Sequence, residues 1–304
     1  MFRVGSRPAA PASGDVAPAT ATAAVRPATR RPRWWTQVAL IGIVLWAYDE
    51  INNLNPFRRA TAITNAFHVL HLELRLHLDP ELPLNHWLAN HLTLGRVLGD
   101  YYDTAHFVVS LAVLFWVWWR HPARYRFFRN ALLGINVVGF AVFWAFPVAP
   151  PRMLVSAGFI DIVAVAHSVG AWSSGTLASQ ANEYAAMPSL HVAWALWCAA
   201  VLWVLRKDIA SRVVAAAYAV ATGFVVLATA NHYFLDVVAG AAAAVASGAG
   251  ALMIERRQAY RWAARKRPIS PSEVRVSMRR WSAANSENMA STLTTVRSVS
   301  DQSR

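Results

Sequence analysis

The sequence predicts an all-α, polytopic membrane protein, a bundle of six transmembrane helices with an interfacial helical segment between the first two. Hydrophobic residues make up 56% and charged residues only 15% of the 304 residues, whereas a soluble domain carries about 25% charged residues. Fourteen tryptophans are present, and such rings gather at membrane interfaces. Six apolar runs approach the roughly 20 residues that are needed to cross a bilayer.

The first run follows several arginines, as the apolar part of a signal peptide would. The polar residues 49–53 come after it without a small-residue cleavage pattern, which favours an uncleaved first span. The six predicted spans lie at 34–48, 102–119, 127–146, 188–205, 213–230 and 233–254.

The stretch between the first two spans mixes polar and apolar residues. Residues 70–78 alternate with period two, as a strand would, but a single strand there has no pairing partner, so a helix is favoured. Further along, helical spacing indicates an amphipathic helix lying at the membrane surface. Its apolar face comprises Leu84, Trp87, Leu88, His91 and Leu92.

Residues 34–255 form the predicted membrane domain, and two tails flank it. Residues 1–33 and 256–304 contain few large apolar side chains and are predicted to be disordered. The single cysteine, Cys198, excludes an internal disulfide framework and a cysteine-based metal cluster.

The positive charges predict the orientation. With a cytoplasmic N-terminus and six alternating spans, 24 of the 29 Lys and Arg residues fall on the cytoplasmic side, as the positive-inside rule requires. This distribution explains the net charge of +13 without nucleic acid as a partner, and it places both termini in the cytoplasm. The basic C-terminal tail is expected to lie against anionic lipid.

Three polar clusters fall at the predicted outer face, at residues 147–152, 187–191 and 231–236. In the third, His232 and Asp236 are four residues apart and would share one helix face. A carboxylate there can fix the tautomer of the imidazole and leave its other nitrogen free to attack. The alternative is a buried ion pair that only packs the bundle.

The other two clusters supply groups suited to an anion. Pro188 suits the first turn of a helix, whose free N–H groups attract anions. Ser189 adds a hydroxyl donor and His191 a proton donor. Arg152 can bind phosphate oxygens through two parallel hydrogen bonds from its guanidinium. Alternatively, His191 is a structural histidine and Arg152 an interfacial anchor. No carboxylate or Cys/His set suits Mg²⁺ or Zn²⁺, so neither a metal nor another cofactor is predicted.

Together the motifs resemble those of the phosphatidic-acid phosphatase type 2 (PAP2) superfamily, and within it the inositolphosphotransferase branch, which contains the inositolphosphorylceramide synthases. The resemblance covers roughly residues 34–255. It depends on Pro-Pro-Arg at 150–152, Pro-Ser-Leu-His at 188–191 and His-Tyr-Phe-Leu-Asp at 232–236.

This resemblance implies a role for each matching residue. His232 would be the nucleophile that forms a phosphohistidine, and Asp236 would orient it. His191 would protonate the leaving oxygen and then act as base for the acceptor. Arg152 and Ser189 would hold the phosphoryl oxygens.

Three positions depart from the wider superfamily. Ala145 replaces a lysine and Val226 an arginine, while Leu190 replaces a glycine and agrees with the narrower branch. Fewer cations leave the phosphate charge less neutralised, so other donors are expected to compensate. The candidates at the outer end of the second span, which could instead belong to an aromatic belt or the core, are Tyr101, Tyr102 and His106.

The sequence therefore predicts a membrane lipid phosphatase or phosphotransferase acting at the extracytoplasmic face, in the plasma membrane, on a lipid-linked phosphate. The branch resemblance favours transfer to an alcohol over hydrolysis. The alternative is a non-catalytic relative that binds a phospholipid or acts as a scaffold. A transporter is disfavoured because the polar residues cluster at one face, whereas carrier sites lie near the membrane midplane.

Overall fold

A computed structural model describes residues 31–53, 58–166 and 183–265, with side chains described through residue 261. Within these ranges the chain is helical and contains no strand, apart from an isolated bridge between Val148 and Ala185. The predicted all-α class is confirmed. The helices are α1 (Trp34–Asn52), α2 (Arg59–Leu76), α3 (Glu81–Ala89), α4 (Leu92–Arg120), α5 (Pro122–Ala145), α6 (Ile162–Val165), α7 (Leu190–Leu205), α8 (Ile209–Ala228) and α9 (Phe234–Arg265).

All six predicted spans coincide with helices, namely α1, α4, α5, α7, α8 and α9. Among the described residues, three helices are both long and apolar enough to cross a bilayer: α5, α8 and α9. The apolar helix α7 has 16 residues, while α1 carries charged residues near its C-terminal end and α4 carries them near both ends. The membrane character is therefore supported by three spans, and the count of six stays a prediction.

Between the first two predicted spans, the stretch whose residues alternate is helical, as the sequence favoured over a strand. α2 runs through the alternating stretch and ends at Leu76, before His77, which has a φ of 56°. Its buried positions include Ala62, Ala66, Leu70 and Glu73, a spacing of three to four residues that places them on one face. The period-two alternation of leucines is therefore a coincidence of composition.

The amphipathic helix predicted up to Leu92 is shorter than expected. α3 ends at Ala89 and α4 begins at Leu92. His91 has φ −131° and ψ 60°, outside the helical region. Leu84, Trp87 and Leu88 thus belong to one helix, and Leu92 starts the next.

The centre of the bundle is formed by α5, α7 and α9. Trp197 of α7 donates its indole N–H to the carbonyl of Phe128 on α5 at 2.9 Å. Close approach depends on glycines: a Cβ on Gly139 of α5 would lie 2.6 Å from Leu190 of α7. These contacts hold the N-terminal end of α7, which carries the second motif, against its neighbours.

The described part of the chain ends later than the predicted domain boundary at 255. α9 continues to Arg265, because the added residues are mostly alanines and arginines, which are good helix formers. Before α1, the guanidinium of Arg31 donates to the carbonyl of Trp119 at 2.8 Å. The rest of both predicted tails lies outside the described residues.

Gly240 of α9 gives a direct test of this packing. A Cβ there would clash with the backbone carbonyl of Ser189, which cannot move without displacing the start of α7. We expect Gly240→Ala to destabilise the protein by about 1–3 kcal/mol, measured as a lower thermal unfolding temperature in detergent. Gly250→Ala is the matched control, because no atom lies within 4 Å of its Cβ position. Equal unfolding temperatures for the two variants would contradict the close approach of α7 and α9.

Candidate active site

Three segments that are distant in sequence meet at one end of the bundle, and backbone hydrogen bonds join them. The Arg152 N–H donates to the carbonyl of Ala230 at 2.8 Å, and the Ser189 N–H donates to the carbonyl of Asp236 at 3.0 Å. The Val148 N–H donates to the carbonyl of Tyr184 at 3.0 Å. The three polar clusters of the sequence are therefore parts of one site.

A tight turn before α9 places His232. Ala230 has a φ of 54°, and the N–H groups of Asn231 and His232 both donate to the carbonyl of Val226 at 3.1 Å. Since α9 begins only at Phe234, the prediction that His232 and Asp236 share a helix face is wrong in detail. The turn, not a helical repeat, brings the imidazole next to the carboxylate.

The buried His232 ring is held through Nδ1. This nitrogen lies 2.8 Å from the carbonyl oxygen of Ala186 and 3.4 Å from Oδ2 of Asp236. Because a carbonyl can only accept, Nδ1 carries the proton in the neutral ring, and Nε2 then has the lone pair. Nε2 is buried and has no hydrogen-bond partner among the described residues, so no described protein group occupies its lone pair.

Asp236 contributes less directly than the sequence suggested. It lies in the first turn of α9, and its Oδ2 accepts the backbone N–H of Tyr233 at 2.9 Å. The carboxylate therefore holds the turn closed as well as facing His232. The stronger contact to the imidazole comes from Ala186, a carbonyl that leaves no signal in the sequence.

Ser189 and His191 stand at the start of α7. Ser189 is the N-cap, and its Oγ accepts the backbone N–H of Val192 at 3.4 Å. Pro188 precedes this cap, so its predicted place in the first helical turn is wrong. His191 lies in the first turn, with its ring centroid 5.6 Å from that of His232. Its Nε2 is also buried without a described partner.

Two of the three α4 residues that were expected to compensate for the missing cations contact His191. The ring of Tyr102 stacks on it with a centroid distance of 4.2 Å, and the ring of His106 lies edge-on at 4.1 Å. The hydroxyl of Tyr101 instead shares a 2.8 Å hydrogen bond with Thr222 of α8. Tyr101 is thus directed to a neighbouring helix, while Tyr102 and His106 fix the His191 ring.

Arg152 is held in place by two side chains that the sequence reasoning missed. Its Nε donates to Oδ1 of Asn231 at 2.9 Å, and its Nη1 contacts Oδ2 of Asp161 at 3.1 Å. Asp161 also caps α6 by accepting the N–H of Ala164 at 3.1 Å. Asn231 directly precedes His232 in the sequence, so its position beside a motif residue was the available signal.

A family model described as the PAP2 superfamily matches residues 68–250, which include all three motifs. The chain belongs to the PAP2 superfamily. This membership, with the apolar helices, indicates a membrane protein with lipid phosphatase-type function. Searches of curated proteins and of solved structures found no match.

At the two positions where the wider superfamily was expected to have a cation, this chain has the apolar residues Ala145 and Val226. Ala145 ends α5, and Val226 is buried in α8, where its carbonyl accepts the two N–H groups of the turn before α9. Neither can replace a cation. No group of three or more His, Cys, Asp or Glu side chains in the described ranges is placed to hold a metal ion.

Proposed function

We propose that the protein moves a phosphoryl group from a lipid-linked phosphate through a phosphohistidine on His232. The observation that carries this proposal is the state of the His232 ring. Nδ1 is fixed by the carbonyl of Ala186 at 2.8 Å, while the buried Nε2 has no described partner. A nucleophile needs this combination of a held ring and a free lone pair.

In the first step, the Nε2 lone pair attacks phosphorus and the bond from phosphorus to the lipid oxygen breaks. Protonated His191, whose ring centroid lies 5.6 Å from that of His232, gives its proton to the departing alcohol. In the second step, the oxygen of water or of an alcohol attacks phosphorus, and neutral His191 takes the proton from that oxygen. The phosphorus–nitrogen bond then breaks and both histidines return to their starting states.

Arg152 and Ser189 would hold the phosphoryl oxygens during both steps. Nη2 of Arg152 has no hydrogen-bond partner among the described residues, because only Nε and Nη1 are bound by Asn231 and Asp161. The hydroxyl of Ser189 accepts from Val192 and keeps its own proton to donate. Positioning and charge stabilisation of this kind supply most of the catalysis of phosphoryl transfer.

The charge of the site favours a phosphotransferase of the inositolphosphotransferase type. Arg152 is paired with Asp161, and Ala145 and Val226 add no positive charge. A site with little positive charge suits a phosphodiester, which carries one negative charge, better than a monoester, which carries up to two. Attack on a lipid phosphodiester releases the lipid alcohol and leaves a phosphate ester for transfer to a second hydroxyl.

The location of the site supports a lipid substrate from the bilayer. We infer that the site faces the extracytoplasmic side of the plasma membrane, with both termini in the cytoplasm, because this orientation leaves 24 of the 29 Lys and Arg residues on the cytoplasmic side, as the positive-inside rule requires. A phosphate at headgroup level would then meet the three motifs while its chains stay in hydrocarbon.

A non-catalytic phospholipid-binding or scaffold relative is the second candidate. The missing cations at Ala145 and Val226 are the observation that favours it. Such a protein would bind a headgroup through Arg152 without turning it over.

The test is a lipid panel with the purified protein in nanodiscs. Labelled phosphatidic acid, a polyprenyl phosphate and phosphatidylinositol are each supplied with and without lipid alcohols as acceptors. We expect a labelled acceptor product from the diester donor, and none from His232→Ala. Phosphate release without an acceptor would identify a phosphatase instead. Equal lipid binding by both proteins without turnover would favour the non-catalytic relative.

A further inference from the structure

Two glutamates are completely buried beside the start of α9. Glu73 lies on α2 and Glu81 is the first residue of α3, and their carboxyl groups interact with each other. Oε2 of Glu73 and both carboxyl oxygens of Glu81 are buried and have no other hydrogen-bond partner among the described residues. In the described ranges, neither forms an ion pair with an arginine or lysine. Two adjacent buried carboxylates repel each other strongly, so such a pair holds one proton between them.

The pair is connected to the segment that carries the proposed nucleophile. Oε1 of Glu73 accepts the backbone N–H of Leu235 at 2.6 Å. Leu235 lies in the first turn of α9, where N–H groups have no acceptor within the helix. It is three residues after His232 and directly precedes Asp236. The Glu73 carboxyl therefore fixes the turn from outside the helix.

The surroundings of the pair favour retention of the proton. Asp79 ahead of α3 and Asp236 on α9 add negative charge nearby, and the buried phenol of Tyr233 also faces the pair. α2 and α3 lie outside the predicted membrane spans. Burial raises the pKa of Glu73 to about 10 and raises the pKa of Glu81 above its ordinary value.

We propose that Glu73 and Glu81 share one proton and act together as positioning residues, which hold the Leu235 N–H and so fix the turn that presents His232. The proton lets two acidic side chains approach without repulsion, and the remaining charge strengthens the bond to the start of α9. The test of this proposal by kcat rests on the proposed function, whereas the test by thermal unfolding does not.

A pair of variants at Glu73 separates hydrogen bonding from packing. Glu73→Gln keeps an oxygen for Leu235 and supplies a permanent N–H donor to Glu81, whereas Glu73→Met fills a similar volume with neither. We expect Glu73→Gln and Glu81→Gln to retain kcat within about threefold, and Glu73→Met to lose about 10–100-fold in kcat with little change in KM. Glu50→Gln, at an exposed glutamate of α1, is the control. Equal kcat for Glu73→Gln and Glu73→Met would overturn the positioning role.

Thermal unfolding against pH tests the shared proton without any activity assay. Because the pKa of Glu73 is raised in the folded state to about 10, its stabilising effect is complete below the ordinary carboxyl pKa and is lost as the pH rises toward 10. Wild type and Glu50→Gln should therefore lose unfolding temperature over this range. Glu73→Gln and Glu81→Gln should lose less, because an amide cannot release the proton.

The two readouts distinguish the possible failures. An alkaline decline of the same size in wild type and in both glutamine variants would refute the shared proton. If the wild type turns over no lipid, the proposed function fails while the unfolding curves still decide on the proton. If Glu73→Met does not fold, the pH curves of the two glutamine variants remain decisive.

Discussion

His232→Ala is expected to abolish lipid phosphate turnover, with a loss of at least about 10³-fold, because covalent catalysis cannot proceed without its nucleophile. The structure makes this expectation specific: the ring is buried and its Nδ1 is already bound by Ala186 at 2.8 Å, so Nε2 is the nitrogen that can attack. Turnover is measured as labelled product from the lipid donor found active in the panel.

The control for this variant is His71→Ala, which removes an exposed imidazole from α2. It should retain wild-type turnover and unfolding temperature. Retention of more than a tenth of wild-type activity in correctly folded His232→Ala would show that another group carries the reaction.

His191→Ala is expected to lower turnover of natural lipid donors by about 10²–10⁴-fold, the usual contribution of a general acid and base. Its ring lies beside His232 and is clamped by Tyr102 and His106 at centroid distances of 4.2 and 4.1 Å. Because His191 is assigned to both steps, the variant should be slow in forming and in consuming the phosphohistidine.

A donor with an activated leaving group separates these two steps in His191→Ala. An aryl phosphate ester needs no proton on its leaving oxygen, so the first step should be largely restored. The second step still lacks its base, so the variant should show a burst of one aryl alcohol per protein and then stop. Steady turnover at the wild-type rate with this donor would exclude His191 as the base.

The sequence was sufficient for much of the fold. Apolar runs of nearly bilayer length coincide with helices, because in hydrocarbon only a helix satisfies the backbone within a single segment. Leucine alternation in residues 70–78 was a weaker guide, since burial on α2 follows positions such as Leu70 and Glu73. The lack of a pairing partner was the argument that favoured the helix correctly.

The motifs predicted which residues meet, but not how they are held. Arg152, His191 and His232 come together because the loops between helices are joined by backbone bonds, and such bonds carry no side-chain signature. For the same reason, the contact between Ala186 and His232 could not be predicted. The roles of Asp161 and of Glu73 depend on tertiary packing of segments far from the motifs.

The central claim is that Nε2 of His232 accepts the phosphoryl group. Its most direct test is to quench the wild-type protein during turnover at alkaline pH, which preserves phosphohistidine, and to locate the modification by mass spectrometry. The account predicts an acid-labile phosphoryl or phosphate-ester group on Nε2 of His232, with more of it in His191→Ala given the aryl donor. Turnover without any modified histidine, or a modification at another residue, would contradict it.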